Sequence, residues 1–265
     1  MRPDASNRLP AGAALVALLL LVWPAVAPAQ GPLGDLRRGM QSQALFRQGR
    51  VFYEAREYVT ARARLLDAVA LDEGHDEARA LLGWAHYHLG EYRAAAIAFK
   101  AGLRRQPSWD GLYDGLGWSR LRLGRYHLAI EAFQSALDLS PDHGDALIGL
   151  GTALFELGRY EAAIPSLERA LRSMTTIAGR EVRDAAAARA RLAWSLYYVG
   201  RHVEALDAFE RALRAAPEGA GLYNGLGWCH LRLGDRGRAR AAFERALALQ
   251  PGYEDAVEGL RQARG

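Results

Sequence analysis

The chain has 265 residues, half of them apolar and 24% charged, a composition that folds and that does not suit a disordered polymer. Its 34 basic and 30 acidic residues give a formal charge of +4 with the two signs interleaved, so no basic stripe points to nucleic acid. A single cysteine, Cys229, excludes an intramolecular disulfide, a cysteine zinc cluster and a CxxC redox pair.

At the start, Arg2 and Arg8 precede an apolar run from Ala11 to Val22, followed by Trp23, Pro24 and the small residues Ala27 and Ala29. A basic start, a short apolar core and small residues at a cut site predict a secretory signal peptide over 1–29, cleaved after Ala29. Twelve apolar residues are too few to span a bilayer as a helix. The expectation is an exported chain, periplasmic or secreted, with no integral membrane span once the signal is cut. The alternative is an uncleaved anchor. No cysteine lies near the cut to carry a lipid. Residues 30–41 are expected as a linker.

Beyond the linker, one unit is written six times. Gly49, Gly83, Gly117 and Gly151 step by 34 residues; after an eight-residue insertion near 175–182, Ala193 and Gly227 resume the step. Gly90, Gly124, Gly158, Gly200 and Gly234 keep phase, with Arg56 in the first unit. So do Leu65, Phe99, Phe133, Leu167, Phe209 and Phe243, and so do the stops at Pro107, Pro141, Pro217 and Pro251. Each unit predicts a helix ending at the second glycine, where a left-handed cap is needed, and a second helix running to the proline. One hairpin has too little core to stand alone and must stack on the next.

These positions resemble the tetratricopeptide repeat in period and in residue type. The resemblance covers 42–251 and implies an all-α fold: a right-handed α-α superhelix, or solenoid, of six helix-turn-helix repeats, closed by a capping helix over 252–265. Ala256, Val257 and Leu260 are expected to form the cap, and Gly259 to fray it. Units three and six are near copies, from Gly111 to Trp118 and from Gly221 to Trp228, so the array reads as a three-unit block used twice. The insertion predicts a longer first helix in unit five, from Arg180 to Tyr198, and a local change of superhelix pitch.

Each first helix carries a packing stripe such as Tyr113, Leu116, Gly117 and Arg120. A second stripe runs beside it: Asp114 and Trp118 in unit three, Asn224 and Trp228 in unit six, Trp84 and Tyr87 in unit two, Phe155 in unit four, Trp194 and Tyr197 in unit five, with Tyr53 in unit one. Resemblance to the family implies that this stripe lines a concave groove where peptides bind. Four tryptophans in register are surplus to the packing stripe, and large rigid rings dominate interface energetics; the alternative is that each wedges between adjacent first helices as inter-repeat packing. Arg122 and Arg232, four residues beyond Trp118 and Trp228, are expected at the groove margin. The family's lysine and asparagine clamp for C-terminal carboxylates is absent, since those positions hold Ala80, Trp84, Asp114 and Trp118.

Chemistry is not visible. The seven histidines are scattered, no HExxH occurs, and Gly115-Leu116-Gly117 lies within a helix with no preceding strand. Ala85, Ser119, Ala153, Ser195 and Cys229 share one small slot, which makes Cys229 a packing residue. No catalytic residue, cofactor or metal is expected. The sequence predicts a non-catalytic scaffold or adaptor in the bacterial cell envelope that holds a protein segment in an aromatic groove. The alternative is a periplasmic helper of polysaccharide export or cell-wall assembly that contacts glycan through the tryptophan row.

Overall fold

The computed structural model describes residues 31–175 and 183–265. The segment expected as a signal, 1–29, lies outside them, as do 176–182 of the insertion. Among the described residues there are thirteen helices and no strand. Unit one comprises α1 (Pro32–Glu54) and α2 (Tyr58–Leu71), unit two α3 (Asp76–His88) and α4 (Tyr92–Leu103), unit three α5 (Asp110–Arg122) and α6 (Tyr126–Leu139). Unit four comprises α7 (Gly144–Glu156) and α8 (Tyr160–Thr175), unit five α9 (Arg183–Tyr198) and α10 (His202–Ala215), unit six α11 (Ala220–Arg232) and α12 (Arg236–Leu249). A final helix, α13 (Glu254–Arg264), closes the described chain.

The hairpin turns follow from the glycine step. Gly90 has φ 78°, and Glu91 N–H donates to the His86 carbonyl at 2.9 Å, which closes α3 with a left-handed cap. Gly124, Gly158, Gly200 and Gly234 repeat that geometry. In unit one Arg56 adopts it at φ 63° despite its side chain. Unit one also lacks the terminal proline; there Gly74 N–H donates to Asp72 Oδ1 at 2.8 Å and turns the chain.

The stack is held by rings set against bare backbone. Phe99, Phe133, Phe209 and Phe243 are fully buried, each contributing roughly 1.5–3 kcal/mol. A β-carbon on Gly83 would fall 2.7 Å from Phe99, and one on Gly115 of the next unit 2.4 Å from the same ring. Phe133 lies likewise between Gly117 and Gly149, and Phe243 between Gly227 and Gly259. Phe209 meets Gly225 ahead of it and has Ala193 at the equivalent position in its own unit. The small slot is also buried: Ala85, Ser119, Ala153, Ser195 and Cys229 are all inaccessible, and both serine hydroxyls donate to the carbonyl four residues back at 2.7 Å.

Three expectations change. Residues 32–41 are not a linker but the opening turns of α1, a 23-residue helix with Pro32 in its first turn. Gly259 does not fray α13: it is buried against Phe243, so α13 is a seventh copy of the first-helix pattern. Val257 is half exposed, whereas Ala256 is buried and Leu260 packs as expected, joined by Gly259 and Ala263. The first helix of unit five is described over 16 residues against 13 in units two, three, four and six. The expected two-turn lengthening from Arg180 falls on residues of 176–182, outside the described ones.

Candidate functional site

The first helices form the inner wall. Among the described residues, neighbouring first helices touch one another (α3 with α5, α5 with α7, α7 with α9, α9 with α11, α11 with α13), whereas second helices of adjacent units do not. Elements packed closer together lie on the inside of a curve. The face presented by α3, α5, α9 and α11 is therefore concave.

The expected groove stripe divides by depth. Its N-terminal members Ala80, Asp114 and Asn224 are all at most 8% exposed. Asp114 and Asn224 are thus not on the groove surface, because the first helix of the next unit covers them. Trp84, Trp118, Trp194 and Trp228 are half-buried, as are Tyr53, Tyr87, Phe155 and Tyr197. Each indole meets its own unit's phenylalanine edge-on, at 5.3 Å for Phe99, 5.6 Å for Phe133, 5.1 Å for Phe209 and 5.4 Å for Phe243. Each tryptophan thus packs on its own unit's phenylalanine and keeps a smaller part of its surface open.

In the second block these rings enclose an open hollow of about 520 Å³, walled by Trp194, Tyr197, Tyr198 and Trp228 with Arg232 and Asp255 at its edges. Asp255 enters from α13. Its Oδ2 accepts from Asn224 Nδ2 at 2.6 Å and from Trp228 Nε1 at 3.0 Å, which fixes the indole plane. Arg232 Nε reaches back to the hydroxyl of Tyr197 at 3.3 Å, and that bond raises the arginine pKa further. Tyr198 stacks on Tyr160 at 4.4 Å and on Trp194 at 5.8 Å while remaining 52% exposed.

The first block carries a similar aromatic bank. Tyr58 stacks on His88 at 4.6 Å, and Tyr53 meets Tyr58 edge-on at 5.4 Å. Burial, then the neighbouring Tyr58, push the Tyr53 phenol up to about 12. Arg122 lies over Tyr92 at 4.6 Å and Tyr87 at 5.9 Å. Asp114 stands where unit six has Asn224. Burial, and then Asp145, push its carboxyl well above the usual range, against a hydrogen bond from Trp118. Its Oδ1 has no partner.

Sequence reasoning missed Tyr58, His88, Tyr160, Tyr198 and Asp255. Tyr58 and Tyr160 hold one repeat position and His88 and Tyr198 another, so the 34-residue step held a signal for them. Asp255 lies 27 residues from Trp228, in a helix read only as a cap.

One arrangement imitates a catalytic pair. Ser42 Oγ lies 2.8 Å from His75 Nδ1, and Glu77 lies 3.8 Å from Nε2. Ser42 is fully buried and donates its proton to the Ala68 carbonyl at 2.8 Å, so it joins unit one to unit two and no substrate reaches it. Among the described residues no group of three or more histidine, cysteine or acidic side chains is gathered for a metal ion, and no helix is long and apolar enough to cross a membrane.

A curved stack of helical hairpins with an aromatic inner wall defines a superhelical repeat protein. The tetratricopeptide repeat profile matches residues 46–108, 115–176 and 190–254, and the chain belongs to that family. Proteins of this family are in general non-enzymatic scaffolds for protein–protein interaction. No curated protein sequence matches the chain. Among solved structures, PilF of Pseudomonas aeruginosa is 18% identical with a TM-score of 0.70 over 86% of this chain and 99% of its own. YrrB, described as a tetratricopeptide protein with an unusual peptide-binding site, is 21% identical with a TM-score of 0.64 over 74% of this chain and 97% of its own. A chain of the APC/C hetero-tetramer Cut9–Hcn1 is 21% identical with a TM-score of 0.69 over 85% of this chain. This chain spans 43% of that one. At these identities the likeness is one of fold.

Proposed function

We propose that this protein is an exported adaptor of the bacterial cell envelope that holds an extended segment of a protein partner along its concave face. One observation carries the reading: four tryptophans in repeat register stay half-buried on the inner wall, where rings needed only for packing would be enclosed. The hollow beside Trp194 offers aromatic faces, one guanidinium and one oriented carboxylate, a combination that suits an extended peptide. The N-terminal pattern of Arg2, Arg8 and the Ala11–Val22 run supports export.

Site-specific photo-cross-linking tests the reading. Benzoylphenylalanine replaces Tyr198 inside the hollow or Ile97, 69% exposed on a second helix. In an envelope extract, a discrete protein adduct forms from the Tyr198 position and not from the Ile97 position. Adducts from Ile97 alone overturn the reading. A saturable fluorescence response to envelope glycan, without any protein adduct, replaces it with the glycan alternative. Export is checked by cell fractionation, where retention of the full-length chain in the cytoplasm contradicts it.

A further inference from the structure

The set of residues around the hollow at Arg232 is written twice. Trp194, Tyr197, Gly200, Trp228, Arg232 and Asp255 each have an identical residue 110 positions earlier: Trp84, Tyr87, Gly90, Trp118, Arg122 and Asp145. The two remaining lining residues exchange types, Tyr198 and His202 standing where the first block has His88 and Tyr92. The ring geometry repeats with the residues, although the Trp118 indole bonds Asp114 where that of Trp228 bonds Asp255. Trp84 and Tyr87 meet at 5.5 Å and 77°, Trp194 and Tyr197 at 5.6 Å and 84°. The stack behind them is Tyr58 on His88 at 4.6 Å in one block and Tyr160 on Tyr198 at 4.4 Å in the other. In both blocks the arginine reaches back to the preceding unit's tyrosine. Stacking of the array does not require this set, for unit four has Thr152 at the tryptophan position and packs fully.

Charge sets what such a hollow takes. The carboxylate of Asp255 is met by two internal donors, Asn224 and Trp228. Arg232 spends only Nε, on an uncharged phenol; among the described residues no hydrogen bond or ion pair holds its two Nη groups. The guanidinium is therefore the charge left for a ligand, with its fork suited to a carboxylate. In the first block Asp114 stands where the second has Asn224, and burial pushes its carboxyl well above the usual range. Proline rings, compact and already fixed in φ, pack their C–H faces on tryptophan and tyrosine rings with little ordering cost.

We propose that the chain has two equivalent subsites, at Arg122 and at Arg232, each taking an acidic residue flanked by prolines in an extended partner segment. The proposal rests on the concave face being the partner surface and adds to it a ligand chemistry and a count.

The probe is the blocked peptide acetyl-Pro-Pro-Glu-Pro-Pro-amide, titrated calorimetrically into the purified protein. Two peptides bind per chain, one in Arg122→Ala or Arg232→Ala, and none in the double variant; both arginines are exposed, so the fold is retained. Replacing the probe's glutamate by glutamine weakens binding at both sites by about tenfold, the value of one charge-assisted hydrogen bond. A single peptide per chain, or a stoichiometry that the arginine variants leave unchanged, overturns the duplication. Equal affinity for the glutamine probe overturns the acidic preference. Absence of any uptake overturns the proposal as a whole, while the adduct from the Tyr198 position, which does not use this probe, reports separately on the adaptor reading.

Discussion

The ring of Phe243 lies against the backbone of Gly259, so close that a β-carbon on Gly259 would fall 2.3 Å from the ring's Cζ. Gly259→Ala must therefore push α13 away from α12. The expected cost is about 1–3 kcal/mol, the range for overpacking a filled core. Gly39, in the interior of α1, has nothing within 4 Å of where its β-carbon would stand. Gly39→Ala should instead stabilise by about 0.5–1 kcal/mol, since only backbone entropy changes. Thermal denaturation followed by circular dichroism separates the pair, and equal shifts would show that the Phe243 contact is absent.

Asp114 makes stability depend on pH. Its folded pKa is raised by burial and by Asp145, so the stability it allows is fully present in acid and is lost as pH rises through the folded value. Asp114→Asn keeps the shape, removes the ionisation, and reproduces the amide–carboxylate pair that Asn224 makes with Asp255. The melting temperature of the variant should match the parent near pH 4 and exceed it increasingly toward pH 8. Lowered carboxylates such as Glu258 act equally in both proteins and cancel in the difference. A difference that does not change with pH would place Asp114 in an ordinary ionised state.

Arg56 occupies a left-handed cap that glycine fills in the later units. Arg56→Gly relieves a backbone cost of roughly 1–2 kcal/mol, part of which glycine's greater unfolded freedom offsets. A net gain of about 0.5–1 kcal/mol is expected in denaturant titration. The same change removes a positive charge that, after burial, holds the His88 pKa down. The His88 pKa, read by NMR, should therefore rise.

Cys229 gives a probe of opening. The side chain is inaccessible, and burial pushes its thiol up to about 12. Iodoacetamide at pH 8 should leave the native chain unmodified and label it as denaturant exposes the helix. Rapid labelling without denaturant would mean that unit six opens readily.

The periodicity of the chain made the helices, the caps and the small buried slot legible, because each depends on contacts inside one 34-residue unit. What it hid lies between units. The Gly115 and Gly149 line keeps the same step as Gly83 and Gly117, yet its reason appears only when the preceding unit's phenylalanine is in place. Asp114 and Asn224 share a stripe with tryptophans and read as groove residues, but contacts from the next hairpin bury them. Gly259 read as a weak helix residue because propensity says nothing of a ring packed against it. In the hollow, the tryptophans and arginines follow from their spacing, whereas Asp255 and Tyr198 depend on how successive units dock.

The phenylalanine–glycine contact also imposes a rule of succession on the modules. Units two, three, five and six carry a phenylalanine in their second helix, and the next first helix supplies Gly115, Gly149, Gly225 or Gly259 at the meeting point. Units one and four have Leu65 and Leu167 instead, and their successors carry Leu81 and Arg191 there. Shuffled hairpins would collide or leave voids, but Gly149 can receive Phe243 as readily as Phe133. A third copy of the unit four-to-six block, grafted between α12 and α13, would set a glycine against every phenylalanine, so this contact places no limit on the number of blocks.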